Sequence, residues 1–275
     1  MNRVLRKEIA IPQDHGSWVF ILSPLVIGIF AGNSFGLDSV VMVIAAMDAF
    51  LLRQPLTTLV KIYSGRRPRT DLPAAVFWTA LYCVIGLLAV VGLVLLGDGY
   101  VVYLAIPGVP VFAWHLWLVS RRAERKQAGV ELIATGVLSL AAPGAYWVGI
   151  GRYDPFGWWL WLLTWLQSAA SIRYAYLRLE QRVLPAAPDR ATQWRMARQA
   201  IAYTSFNVVF TVGLGLAGIL PRLIFIPYAV QWLEALWGTT HPAVKVKPVR
   251  IGMRQTIVST LWTVLFIVFW EMGRI

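Results

Sequence analysis

The sequence predicts an all-α integral membrane protein of about nine transmembrane helices, with the N-terminus cytoplasmic and the C-terminus outside. Three observations predict it. Hydrophobic residues fill 58% and charged residues only 14% of the 275 positions, whereas soluble domains are roughly half apolar and a quarter charged. Apolar runs of about 20 residues, the length that crosses a hydrocarbon core roughly 30 Å thick, recur throughout and leave no room for a soluble domain. The basic residues fall between these runs in alternation. Residues 1–275 therefore read as a single polytopic membrane domain. Its spans are helical because a helix satisfies its own backbone hydrogen bonds where no water is available.

In order, the apolar runs place spans at about 17–34, 38–53, 73–96, 100–119, 129–150, 156–177, 197–220, 222–238 and 254–271. The second is short and interrupted by Asp48, which suits a re-entrant or core segment as well as a span. Loop charge resolves this. With nine spans, the N-terminus and the loops after spans 2, 4, 6 and 8 hold 22 of the 25 basic residues, leaving Arg152, Arg222 and Arg274 for the opposite side. Removing span 2 breaks this alternation, which the positive-inside rule demands.

The stretch from Leu51 to Pro73 organises the chain, since it carries Arg53, Lys61, Arg66, Arg67 and Arg69 between apolar runs, together with Pro55 and Pro68. The net charge of +12 is spread over such short loops and not along one solvated face, so nucleic-acid binding is not expected. No small-residue cleavage site follows the first apolar run, and a removable signal peptide is not expected either. Cys83 is the only cysteine, so an intramolecular disulfide or thiolate cluster is excluded. Trp158, Trp159 and Trp161 at the start of span 6, with Trp232, Trp237, Trp262 and Trp270, fit interfacial aromatic belts. Prolines 24, 107, 110, 143 and 227 read as kinks. Gly213, Gly215 and Gly218 read as close-packing positions.

Polar residues inside spans normally face protein or water, so their spacing carries information. Gln199, Tyr203, Asn207 and Thr211 recur every four residues on one face of span 7. Gln167, Ser171, Tyr174 and Arg178 share a face of span 6, and Glu131, Thr135 and Ser139 one of span 5. Asp48, His115 and Glu234 point to the same, cytoplasmic, leaflet. Two readings stand: a polar cavity open to the cytoplasm, or interhelical hydrogen bonding, which averages about 0.6 kcal/mol per pair. His15, His115 and His241 lack the His-x-x-x-His spacing or nearby thiolates of a zinc site. No Gly-x-Ser-x-Gly elbow is present.

The segment Pro12-Gln13-Asp14-His15-Gly16-Ser17-Trp18 before a proline-containing first span resembles the opening of the YwiC-like membrane proteins. Leu52-Arg53-x-Pro55 and Ser171-x-x-Tyr174 fit the same resemblance, which implies no activity of its own. In architecture the chain is also similar to the UbiA-type intramembrane prenyltransferases, which implies a UbiA-like helical bundle with a cytoplasm-facing cavity and aspartate motifs after helices 2 and 6. Where that family has Asp-x-x-Tyr-Ala-x-x-Asp, this chain has Ser171-Ile172-Arg173-Tyr174-Ala175-Tyr176-Leu177-Arg178. Leu51 to Thr58, matching the first motif, also lacks carboxylates. Mg²⁺ needs oxygen ligands, so no metal is expected at those positions and no cofactor is predicted.

The expected function is binding of an anionic or isoprenoid-type amphiphile, by a divergent transferase or a non-catalytic lipid-binding relative, in a bacterial cytoplasmic membrane. Its expected partners are membrane lipids, with an isoprenoid or phospholipid ligand. Arg53, Lys61, Arg66, Arg67, Arg173 and Arg178 are the candidates for the anion, because a guanidinium recognises phosphate or carboxylate without metal. Gln167, Ser171, Tyr174, Gln199, Tyr203 and Asn207 would orient the polar head, and His15 and Asp48 are the weak candidates for proton transfer. Each loop arginine also has a topological explanation. The alternative function is secondary transport of a small anionic solute, although the polar residues crowd one leaflet and trace no continuous path.

Overall fold

The computed structural model describes residues 4–13, 15–123 and 127–273, the side chain of His15 excepted. Every regular element among these residues is helical: α1 (Lys7–Ala10), α2 (His15–Gly32), α3 (Leu37–Tyr63), α4 (Leu72–Leu96), α5 (Ala105–Ser120), α6 (Ala128–Leu138), α7 (Ala141–Ile150), α8 (Gly157–Arg182), α9 (Arg190–Leu216), α10 (Phe225–Thr240) and α11 (Pro248–Met272). Short 3₁₀ segments at Arg69–Asp71 and Gly99–Leu104 lead into α4 and α5. Six helical stretches are long and apolar enough to cross a bilayer: Leu37–Tyr63, Arg69–Leu96, Gly99–Ser120, Ala128–Ile150, Arg190–Leu216 and Pro248–Met272. A shorter apolar helix covers Gly16–Gly32. Leu87, Leu88 and Leu95 of α4 and Val209 and Leu216 of α9 lie exposed. Such apolar surface is a liability in water and a requirement in lipid. The chain is an integral membrane protein.

Helix ends differ from expectation where proline and loop charge were read as breaks. α3 runs through Pro55 to Tyr63, so Arg53 and Lys61 lie on a helix and not in a loop. Pro55 lacks an N–H for the Leu51 carbonyl, and such a gap persists in a membrane helix that neighbouring groups support. Conversely, the run 129–150 is broken into α6 and α7 at Ser139 and Leu140. Pro143 cannot donate to the Ser139 carbonyl. The turn closes instead with the Leu140 N–H on Val137 O (3.1 Å) and the Ser139 hydroxyl on Thr135 O (2.9 Å).

The chain forms two compact units, residues 1–161 and 162–275, with the boundary inside α8. In the first, α3 packs along α4, and α2 packs along α7. The α2–α7 contact depends on side chains that are absent: a Cβ on Gly32 would sit 2.8 Å from Gly149 Cα. Gly28 and Gly32, four apart, and Ala145 and Gly149, four apart, let the two backbones touch, the small-xxx-small mode of packing in lipid. Before α2 and after α3, Arg6 pairs with the buried Asp71, which Arg67 Nε also approaches at 3.4 Å. The Tyr82 hydroxyl donates to Ala10 O (3.1 Å) and Gln54 Nε2 to Glu8 O (2.9 Å), so the leading segment is fastened to α3 and α4.

In the second unit, α9 and α11 both pack on α10. Asp189 caps α9 by accepting the Thr192 N–H at 3.4 Å. That bond holds its exposed carboxyl below the usual carboxylate range.

Gly32→Val should separate α2 from α7, costing at least the ~1–3 kcal/mol typical of overpacking, since backbone cannot yield as a side chain does. Thermal unfolding in detergent should show a lowered midpoint for Gly32→Val and almost none for Gly129→Val, where a Cβ meets nothing within 4 Å.

Candidate functional site

Small residues along one face of α3 create the site. Ala45, Ala46 and Ala49 leave a furrow that α5 faces with Gly108, Val109 and Phe112, and α4 flanks with Val90, Leu93 and Val94. Ala134, Val137, Leu138, Leu140 and Ala141, around the α6–α7 turn, complete a cavity of about 400 Å³. That volume falls in the range of small-molecule sites. Val90, Val94, Val102 and Val109 line it yet remain exposed, so one side opens between α4 and α5 toward lipid.

The walls are apolar and the polar groups lie at the ends. Arg53 and His115 lie at one end, and Asp98 lines the other. Met42 and Arg53, the outermost α3 residues of the lining, are about 16 Å apart at 1.5 Å per residue. The Arg53 guanidinium sits 5.5 Å from the Phe50 ring centroid, a cation–π distance that fixes it beside an apolar wall.

Asp98 owes its position to a left-handed turn. Gly97, at φ 102°, ends α4, and the Asp98 N–H returns to Leu93 O at 2.8 Å. A Cβ-bearing residue is strained at that φ, so glycine is the natural choice. Asp98 is only 4% exposed; its Oδ1 accepts from the Tyr100 hydroxyl, and its Oδ2 has no hydrogen-bond partner among the described residues. Burial raises its carboxyl above the usual carboxylate range. The Tyr100 bond opposes this, and the charge of Asp38 adds to it.

The sequence-predicted residues distribute as follows. Arg53 lines the cavity. Asp48, on the same helix, is not among the lining residues: it is buried against α4, where a Cβ on Gly86 would lie 2.5 Å from Oδ2. Lys61 is half-buried near the end of α3. Arg66 donates to Val119 O and Arg67 to the Thr58 hydroxyl (3.1 Å), binding the loop after α3 to the end of α5 and back to α3. The side chain of His15 lies outside the described residues. The cavity residues that sequence reasoning passed over are Asp98 and the alanines of α3. Asp98 sits in Gly97-Asp98-Gly99, where no periodicity marks it.

In the second unit most residues of the polar stripes bond to protein, while Gln199 lies exposed. Gln167 Nε2 donates to Gln231 Oε1 (3.3 Å), the Ser171 hydroxyl to Gln255 Oε1 (3.0 Å), and Asn207 Nδ2 to Leu166 O (2.9 Å). The Tyr174 hydroxyl donates to Glu234 Oε1 (2.7 Å), and Arg254 pairs with both oxygens of that carboxylate at 2.6 and 2.8 Å. Arg173 donates to Gln199 Oε1 (3.1 Å) and lies 5.5 Å from the Tyr203 ring centroid. Arg178 is buried; it donates to Gln181 Oε1 (2.9 Å) and to the carbonyls of Gly238 (2.8 Å) and His241 (2.7 Å) at the end of α10. A cation at a helix C-terminus satisfies orphan carbonyls and complements the helix dipole. Among the described residues, no three His, Cys, Asp or Glu side chains come together in a way that could hold a metal ion.

The family model of the YwiC-like protein matches residues 11–146. This stretch of the chain is YwiC-like. Every residue lining the cavity, from Ile21 to Ala141, falls inside the YwiC-like stretch, so the site is built wholly from the part of the chain that carries the family signature. No curated protein and no solved structure matches the chain.

Arg178→Gln should destabilise the second unit by ~1.5–3 kcal/mol, the scale of hydrogen bonds to a charged group. Hydrogen exchange should show faster opening of the last turn of α10, with protection of α2 and α7 unchanged.

Proposed function

We propose that the YwiC-like stretch binds a single-chain anionic amphiphile, its tail in the apolar cavity and its head at Arg53. One observation carries this reading: the walls are apolar over about 16 Å and end at a guanidinium. The walls accept an acyl chain from the bilayer at little cost, since lipid tails are as apolar as the side chains that replace them. A phosphate or carboxylate head gains charge-assisted hydrogen bonds from Arg53. The opening between α4 and α5 admits such a ligand from the bilayer. An isoprenoid or phospholipid-derived chain suits the walls, and the protein acts as a divergent UbiA-like transferase or as a non-catalytic lipid-binding relative. Since Leu51 to Thr58 offers no carboxylate, recognition needs no Mg²⁺.

The finer architecture belongs to the same proposal. α2, α8 and α10 cross the membrane along with the six long stretches, giving nine spans in a bacterial cytoplasmic membrane with the N-terminus inside. The split of basic residues, 22 on one side and three on the other, supports it. Reporter fusions should place the two termini on opposite sides; both on one side would overturn the nine-span arrangement.

Dodecyl phosphate is a suitable probe, titrated against protein in nanodiscs. Binding should be saturable, unaffected by EDTA, weakened about tenfold or more by Arg53→Gln, and abolished by Ala49→Phe, which fills the cavity. Binding indifferent to both substitutions would overturn the site. Secondary transport of a small anionic solute is the second reading, favoured by Asp48, a buried carboxyl within a span. Inorganic phosphate competing as well as dodecyl phosphate would favour it.

A further inference from the structure

Asp98 is the feature of the cavity that an amphiphile with one polar end leaves unexplained. Its carboxyl is almost completely buried at the end of the cavity away from Arg53, where the remaining lining is aliphatic. One oxygen is fixed and the other is not. The Tyr100 hydroxyl lies against Oδ1 and also 3.1 Å from Trp147 O, but a phenol has a single proton and can serve one of them at a time. Tyr100 therefore orients the carboxyl without reaching Oδ2. A buried oxygen without a partner costs ~1–3 kcal/mol, and Asp98 is itself one of the residues that line the cavity.

We infer that Asp98 is a second recognition point of this cavity, accepting a hydrogen bond from a hydroxyl at the far end of the bound chain. The inference rests on the reading of the cavity as an amphiphile site, and it narrows the ligand class to two-ended amphiphiles: an anionic group at one end and a neutral donor at the other. A hydroxyl fits better than an ammonium, because a neutral donor passes the apolar opening between α4 and α5 at far lower desolvation cost. A chain ending in a plain methyl leaves Oδ2 unsatisfied. Tyr100 acts here as a positioning residue.

The test compares dodecyl phosphate, ω-hydroxydodecyl phosphate and ω-methoxydodecyl phosphate on the full-length protein in nanodiscs. The last has the oxygen but no donor. The wild-type protein should prefer the hydroxyl over the methoxy probe about tenfold. Asp98→Leu should remove that preference, while Asp98→Asn, which keeps an acceptor oxygen, should retain most of it. The comparison of probes on the wild type stands even if Asp98→Leu fails to fold. Equal binding of hydroxyl and methoxy probes by the wild type, or a preference that persists in Asp98→Leu, overturns the inference. If that equal binding is still weakened by Arg53→Gln, the amphiphile site survives and only the role of Asp98 falls. If none of the three binds saturably, both fall together.

Discussion

Lipid offers no partner to a peptide N–H or C=O, and the rest of this structure depends on that constraint. It makes every regular element among the described residues a helix, and it confines irregular backbone to places where protein supplies the missing bonds. The break between α6 and α7 at Ser139 and Leu140 is closed by the Ser139 hydroxyl and by backbone of the same turn. The exit from α4 is closed by the left-handed Gly97. Both irregular segments border the cavity. Departures from ideal helix and the space for a ligand thus coincide, because straight helices with uninterrupted ladders leave little reason for a gap between them.

The same constraint explains the chemistry between helices. Apolar burial cannot draw helices together in a solvent as apolar as they are, so close backbone contact and hydrogen bonds must do so. The two units rely on different means. In the first, Gly28 and Gly32 meet Ala145 and Gly149, with van der Waals contact between backbones. In the second, Gln167, Ser171, Tyr174, Asn207 and Arg178 reach across to side chains or carbonyls of neighbouring helices. Glu234 joins Tyr174 of α8 and Arg254 of α11 from its place on α10, and the Arg254 guanidinium also lies 3.7 Å from the Trp237 ring centroid. Such a network gives these helices a defined rotation that small apolar contacts leave less constrained.

Much of the helical layout was legible because it is one-dimensional: run length, loop charge and four-residue spacing are properties of single segments. The face shared by Gln167, Ser171, Tyr174 and Arg178 could be read from spacing, and all four are buried. Their partners Gln231, Gln255 and Glu234 could not be, since pairing joins two faces whose relative rotation no single segment encodes. The cavity was illegible for the same reason. Ala45, Ala46 and Ala49 look like ordinary membrane alanines until α5 presents Gly108 and Phe112 opposite them. Pro55 and the basic cluster around it suggested a loop, yet α3 continues, because in a membrane a proline interrupts one hydrogen bond without ending the helix.

The opening between α4 and α5 changes what affinity means for this protein. On the proposed function, a ligand arriving through it is already dissolved in the bilayer, so the competing state is not water but a neighbouring acyl environment. The tail then contributes little to selectivity, because transfer from one hydrocarbon to another is nearly free of cost. Discrimination falls to the groups that bulk lipid cannot imitate at mid-depth, and occupancy follows the mole fraction of ligand among lipids. A site of modest intrinsic strength can therefore stay filled by a minor membrane component.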